Sequence, residues 1–159
     1  MNLSVEQRLA KLGITLPDAP LPLGSYVRGV SHQGIWHLSG QLPILDGKVQ
    51  HAGRLGANLS LDEGRAAARQ AAINALAQIK YLTQAFSRFE GLLRVDGLVA
   101  CTAEFIDHAT VLDASSEFFV EALGDLGRHA RSASGVISLP RGSAVELVVT
   151  FAGSGAHHS

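Results

Sequence analysis

The sequence has little of what secreted and membrane proteins require. It contains one cysteine, Cys101, among 159 residues, so no disulfide can form within the chain and no cysteine-rich metal site is possible. No apolar run approaches the ~18 residues of a membrane-spanning helix. The first residues carry neither the early positive charges nor the apolar stretch of a secretory signal. We therefore expect a cytoplasmic protein that does not act at membranes.

Positive charge is not in excess either. Thirteen Lys and Arg residues against fourteen Asp and Glu residues give a formal net charge of −1. Binding to nucleic acid draws much of its free energy from basic side chains on phosphates, so this balance argues against a nucleic-acid partner. Apolar residues make up 47% of the chain, which is enough for the core of one compact domain.

We divide the chain into a helical leader over residues 1–22, a single domain over 23–152 and a flexible tail over 153–159. The leader begins with Ser4 and Gln7 at the spacing of a capping box. The proline-bearing part of the leader, residues 16–22, has no periodic pattern and is expected to be dispensable.

The tail is expected to be dispensable as well. It contains His157 and His158, and two adjacent histidines alone do not define a metal site.

The domain has a regular order of predicted elements. Hydrophobic periodicity and turn residues predict strands over residues 26–30, 34–39, 92–102, 130–139 and 144–152. Two longer helices begin at Ser60 and Asp107, and the second ends at Gly124. This order predicts an α+β sandwich in which a mixed sheet carries two helices on one face.

The last predicted strand has two different faces. Its inward residues would be Val145, Leu147, Val149 and Phe151, and its outward residues Glu146, Val148 and Thr150. The outward face is half apolar and has no predicted helix to cover it. We therefore expect burial against another copy of the protein, in a homo-oligomer.

One pair of charged residues stands out. Arg131 and Glu146 are predicted on neighbouring strands, near Gly135, whose missing side chain leaves room for a ligand. Arginine matches a carboxylate through two parallel hydrogen bonds, and a fixed carboxylate can orient or deprotonate water. From the residues alone, a structural ion pair between strands is the more common alternative.

Four segments together resemble the signature of the RidA/YjgF family of reactive-intermediate deaminases. They are, in order, Tyr26-Val27-Arg28-Gly29-Val30, Ser39-Gly40-Gln41-Leu42-Pro43, the run from Arg131 to Pro140, and Glu146. The leader and the run from Gly127 to Ala133 are similar to the longer subgroup of that family. The resemblance implies a chorismate-mutase-like fold and a homotrimer with a central barrel and active sites between subunits.

The resemblance also implies a reaction and its residues. The family hydrolyses 2-imino or 2-enamino acids to 2-keto acids and ammonia, without metal or organic cofactor. Arg131 would clamp the carboxylate of a small substrate, and Glu146 would hold the attacking water. Tyr26 would close the pocket from a neighbouring subunit, while Ser39 and Gly40 would line it.

Two positions depart from the family pattern. Ala133 stands where many members have cysteine, and it is followed by the small residues Ser134 and Gly135. Ala133 and Gly135 are expected to line the pocket. Ile106 stands where an amide side chain often contributes. These residues predict a roomier and less polar pocket than in well-known members.

Three further residues have open or modest roles. Cys101 lies in an apolar strand, which favours core packing over a nucleophilic role. His129 is on the same strand as Arg131, where a participant in the site and a mere neighbour are equally compatible with the pattern. Arg28 could be a surface charge or could attract an anionic substrate.

Two other functions compete with deamination. A trimer that binds small carboxylates without turnover would keep Arg131, although Glu146 would then add an unhelpful negative charge. An endoribonuclease activity, once attached to this family, fits poorly with the balanced charge.

Overall fold

A computed structural model describes residues 3–155. Its helices are α1 (Val5–Lys11), α2 (Leu61–Leu82) and α3 (His108–Leu123). Its strands are β1 (Gly29–His32), β2 (Ile35–Leu38), β3 (Ile44–Leu45), β4 (Lys48–Val49), β5 (Phe89–Ala100), β6 (Ala130–Val136) and β7 (Val145–Gly153). Helices α2 and α3 pack on one face of the main sheet, and α1 contacts α3.

The main sheet is mixed, with strand order β1-β2-β7-β5-β6. Strands β5 and β6 are parallel because α3 carries the chain back between them, and the other neighbours are antiparallel. The expected α+β sandwich is therefore confirmed. The prediction that Arg131 and Glu146 lie on neighbouring strands is wrong. The long strand β5 pairs along both of its edges and separates β6 from β7.

The core lies between this sheet and the two long helices. Strand β7 alternates as predicted: its four inward residues are fully buried, and Glu146, Val148 and Thr150 are on the other face. Helix α2 buries a run of alanines against its neighbours, namely Ala67, Ala68, Ala71, Ala72 and Ala75. Small side chains allow this close approach of the helix. Trp36 stacks on Phe151 with ring centroids 5.7 Å apart.

Some element boundaries differ from the predictions. Strand β1 begins at Gly29 instead of Tyr26, and β6 ends at Val136 instead of residue 139. Asp107 occupies the position before α3 but makes no capping hydrogen bond through its side chain. The β3–β4 hairpin was not predicted, although its turn, Asp46-Gly47, has the positive φ angles of 50° and 74° that this dipeptide favours.

The leader is part of the folded domain. Leu9 of α1 is buried, and Ile14 and Leu16 pack against the core. The Pro20 carbonyl accepts hydrogen bonds from two side chains, so the expectation that residues 16–22 are dispensable is wrong.

The other end of the domain is strand β7. At its end, the Ser154 amide donates to the Arg88 carbonyl. His157 and His158 lie outside the described residues. Within residues 3–155, no helix is both long and apolar enough to cross a membrane.

Candidate active site

Four of the predicted site residues meet in one cleft beside the start of β7. Tyr26, Ser39, Gly40 and Glu146 all line a cavity of about 280 Å³. The chain reaches this place after leaving β2, and Gln41 forms an isolated bridge with Leu147 that places Gly40 against β7. These four residues, which the sequence analysis assigned to one site, therefore line one pocket of the protomer.

Glu146 has an unusual environment in this cleft. Burial raises the pKa of its carboxyl group, and no residue that the structure describes donates a hydrogen bond to it. Gly40 provides the space, because a Cβ atom added there would overlap the Glu146 carboxylate. A desolvated carboxylate with no donor is a stronger base than a solvated one.

Tyr26 lies in the same cleft of the same protomer as Glu146. The expectation that it closes the pocket from a neighbouring subunit is therefore wrong with respect to Glu146. Its hydroxyl oxygen accepts a hydrogen bond from the Leu23 amide at 3.0 Å, so its own hydrogen is left to donate. Ser39, which also lines the cavity, donates its hydroxyl hydrogen to the Val27 carbonyl.

Two amide side chains on α2 hold the cleft walls in place. The Asn74 amide donates to the carbonyls of Leu42 and Ile44 at 2.9 and 2.8 Å, and the Gln78 amide donates to the Pro20 carbonyl at 2.6 Å. Both side chains are buried. Sequence analysis missed them, yet polar residues one turn apart on an alanine-rich helix face signal buried hydrogen bonding.

The structure answers the question about Arg28. Its Nη1 atom donates to the Ala19 and Pro20 carbonyls and to Gln78 Oε1, and the guanidinium lies over the Tyr81 ring at 4.5 Å. Arg28 also lines the cavity. It therefore ties the leader to the domain and places a positive charge beside the cleft.

Arg131 does not reach this cleft. Arg131 pairs with Val95 of β5, whereas Glu146 pairs with Leu98 of the same strand. Residues three positions apart on a strand point to opposite faces of the sheet, and so do the residues paired with them. Arg131 lies on the helix side, where its Nη1 atom contacts Asp113 Oδ1 at 2.9 Å and Ser116 Oγ at 3.2 Å. One protomer therefore holds Arg131 and Glu146 on opposite faces of its sheet.

His129 is joined to Arg131 through Ser116. Its Nδ1 atom lies 2.6 Å from the Gly127 carbonyl, and its Nε2 atom lies 2.9 Å from Ser116 Oγ. Burial lowers the pKa of His129 and the Arg131 charge adds to this, against the Gly127 hydrogen bond. A neutral ring donating from Nδ1 and accepting at Nε2 satisfies both contacts.

The remaining predicted residues surround a second cavity of about 480 Å³. Gly135 and Ile106 line it, and Ala133 packs against the core beside it. Cys101 is buried in the core cluster, as expected, with its Sγ atom 3.4 Å from His108 Nε2. Gly135 leaves the space that this pair occupies. Across residues 3–155, no group of three His, Cys, Asp or Glu side chains is arranged to hold a metal ion.

Comparison with known proteins places this geometry in a family. The family model described as "YjgF/chorismate_mutase-like, putative endoribonuclease" matches residues 6–153. Protein TCP17 of Trypanosoma cruzi is 36% identical over 144 residues, which are 90% of each chain.

Two solved bacterial structures are also similar. Atu1372 of Agrobacterium tumefaciens, a protein with unknown function, has a TM-score of 0.88 and 33% identity, covering 94% of this chain and 92% of its own. A structure from Shewanella oneidensis, described as a "putative endoribonuclease", has a TM-score of 0.90 and 32% identity, covering 94% and 99%. The chain therefore belongs to the RidA/YjgF family.

Proposed function

We propose that the protein is a hydrolytic deaminase of 2-imino and 2-enamino acids whose active sites lie between the subunits of a homotrimer. The observation that carries this proposal is the division of the charged residues between two faces of the sheet. Within residues 3–155 no ion pair is formed by Glu146, and Arg131 is not in the lining of the Glu146 cavity. A carboxylate-bearing substrate that needs both must take them from two chains.

The outer face of the sheet supports self-association. Val30, Ile35, Leu93 and Val148 each expose more than a third of their surface there. Apolar residues on a sheet face without a covering helix are typical of an interface between copies. Burial of this face in a trimer would bring the β6 edge of one subunit toward the cleft of the next.

Arg131 is suited to hold the substrate carboxylate. Within the described residues, its side-chain hydrogen bonds all start at Nη1, which leaves the Nε and Nη2 donors for a ligand. A guanidinium edge matches a carboxylate through two parallel hydrogen bonds. Asp113 and Ser116 then fix the direction of the guanidinium while the free edge binds.

Glu146 is suited to activate water. In the proposed reaction Glu146 takes a proton from a water whose oxygen bonds to the imine carbon, and the imine nitrogen gains a proton. The Tyr26 hydroxyl, whose oxygen accepts from the Leu23 amide, would supply the proton to the imine nitrogen. In the resulting carbinolamine Glu146 returns its proton to the nitrogen and the C–N bond breaks to release ammonia. The hydroxyl proton passes to the Tyr26 oxygen as the C–O bond becomes a C=O bond.

Complementation between two inactive variants tests the proposal. Arg131→Ala and Glu146→Gln, each produced alone, are expected to have far lower activity than the parent at a substrate concentration below its KM. When the two chains are co-expressed, random mixing should place a parental Arg131 opposite a parental Glu146 in about one site in four. Activity measured as keto-acid release, with an amino-acid oxidase supplying the imine, should therefore return to roughly a quarter of the parental value.

The control is the double variant, which carries both substitutions on one chain and is produced alone. It should stay inactive. Absence of recovery in the mixed protein, with mixing verified by two affinity tags, would refute a site shared between chains. Sedimentation equilibrium should give three times the mass of one chain, and a monomer would contradict the trimer directly. Keto-acid binding without turnover in the parent would favour the non-catalytic alternative.

A further inference from the structure

The cleft around Glu146 has both polar and apolar residues in its lining. The polar ones are Tyr26, Arg28, Ser39, Gln41, Gln78 and Glu146. The apolar ones include Pro20, Leu21, Leu23, Leu42 and Ile44. The first three of these lie where the leader joins the domain, in a segment that we call the strap (residues 19–23).

The strap is fixed to the domain through its backbone. The Pro20 carbonyl accepts from the amide of Gln78 at 2.6 Å and from Arg28 Nη1 at 2.9 Å, and the Ala19 carbonyl accepts from Arg28 at 2.7 Å. Prolines 20 and 22 have restricted φ angles, which further limits the conformations of this segment. The strap is therefore a built wall of the cavity.

The same hydrogen bonds occupy the amide groups near the cavity. Gln78 donates through Nε2 to the strap and accepts at Oε1 from Arg28, so both ends of its amide are occupied. The amide of Asn74 is likewise occupied by the carbonyls of Leu42 and Ile44. The side chains of Leu21 and Leu23 therefore offer a ligand aliphatic surface in the same cavity as Glu146, the carboxylate proposed to activate water.

We propose that the strap makes this enzyme selective for imino and enamino acids with large apolar side chains, of the leucine type, over those with a methyl side chain. This inference rests on the proposed deaminase function. In this cleft the reacting carbon of the substrate must lie near the Glu146 carboxylate. In this proposal the side chain of the substrate extends from that carbon toward the strap. One methylene buried in a hydrophobic pocket favours the larger substrate by about tenfold, and we expect at least this from the whole leucine side chain on the partly exposed strap.

Leucine- and alanine-derived imines, each generated in situ by an amino-acid oxidase, are the two probes. The parent should hydrolyse the leucine-derived imine with at least about tenfold higher kcat/KM. Leu23→Ala should reduce this preference several-fold, because it removes aliphatic surface but keeps the backbone amide that donates to Tyr26. The matched control is Leu45→Ala. Leu45 is exposed like Leu23 and lines the neighbouring depression but not the Glu146 cleft, so its truncation should leave the preference unchanged.

The outcomes separate this inference from the function beneath it. Equal hydrolysis of both imines by the parent, or a preference untouched by Leu23→Ala, overturns the strap's role and leaves the deaminase intact. If neither imine is hydrolysed, calorimetry with pyruvate and with the keto acid of leucine decides. Tighter binding of the larger acid that weakens in Leu23→Ala supports the apolar wall and rejects only the reaction, whereas equal binding rejects both.

Discussion

The two halves of the candidate site are built in different ways. The Glu146 half is a cavity assembled from the leader, the turn after β2, helix α2 and strand β7, and buried amides hold its walls. The Arg131 half is an edge strand whose arginine contacts Asp113 and Ser116 on the helix beside it. In the proposed trimer, one half is thus complete within a protomer, and the other would become part of a site only when a second chain approaches.

Their electrostatics differ in the same way. Glu146 is half-buried and lacks a hydrogen-bond donor among the described residues, so its charged form is disfavoured. Arg131 has a carboxylate partner in Asp113, whose side chain is 49% exposed, and an exposed pair of this kind contributes little to stability. Of the two proposed site residues, Glu146, which would accept a proton, is therefore desolvated without a partner. Arg131, which would hold the substrate, is paired with a carboxylate.

Disabling the Glu146 half should give the largest loss of activity. Glu146→Gln keeps the size of the side chain and removes its basic oxygen, so kcat should fall by ~10²–10⁴ while keto-acid binding persists. Gly40→Ala should have a comparable effect although Glu146 itself is not substituted, because the new methyl group would displace its carboxylate. Both are measured as kcat on an imine made in situ, together with calorimetry of a keto acid.

The Gly40 variant sharpens this test. Gly40 has an ordinary backbone φ, and the group that its Cβ would meet is the flexible end of a side chain. The fold should therefore survive, which circular dichroism and sedimentation can check. Parental turnover in either variant would show that Glu146 has no role in the chemical step.

Disabling the Arg131 half should cost less and act on a different quantity. Arg131→Ala removes two hydrogen bonds to a charged group, worth roughly 2–5 kcal/mol, so keto-acid affinity should drop more than tenfold. Arg131→Lys should not restore it, because an ammonium cannot reproduce the planar pair of donors. Calorimetry measures the affinity, and unchanged binding in the Ala variant would remove Arg131 from the site.

A loss of keto-acid affinity in Arg131→Ala would not come from unfolding of the protein. Asp113 is half exposed and can be solvated, and Ser116 keeps His129 as a partner when Arg131 is absent. The melting temperature of Arg131→Ala should therefore stay close to that of the parent. Ser116→Ala is a useful comparison, since it removes one contact of the guanidinium and leaves its charge.

The sequence predicted the elements that a local pattern specifies. Alternation in the last strand correctly separated Glu146 from the buried residues, and capping residues located the starts of α1 and α2. The family resemblance then assigned Tyr26, Ser39 and Gly40 to the same site as Glu146, an assignment that periodicity alone could not make. These residues are contiguous in space because short connections keep them near the start of β7.

What the sequence did not predict depends on contacts distant along the chain. A short link between β6 and β7 favours adjacency, yet the length of β5 lets it pair with both strands and separates them. The strap has no periodic pattern because its order comes from Gln78 and Arg28, 58 and 8 residues away from Pro20. Side-chain anchoring of irregular backbone leaves no hydrophobic period to detect.

The smallest expected effect concerns pH and the desolvation of Glu146. The pKa of this carboxyl is raised in the folded state, so the native protein binds its proton more tightly than the unfolded chain does. Stability from this group is present below the ordinary glutamate range and is lost as pH rises through the raised pKa. Glu146→Gln should therefore be modestly more stable than the parent at neutral pH and equal to it in acid.

Urea unfolding of both proteins at neutral and acidic pH measures this difference. The enzymatic counterpart is an acid limb in the parental kcat/KM profile that lies above the usual range of a glutamate, because only the ionised carboxylate can accept a proton from water. The imine also titrates, so the stability difference is the more direct measurement. A Gln variant that is less stable than the parent at neutral pH would mean that Glu146 has a stabilising partner in the assembled protein. The cleft would then hold an ion pair and no free base.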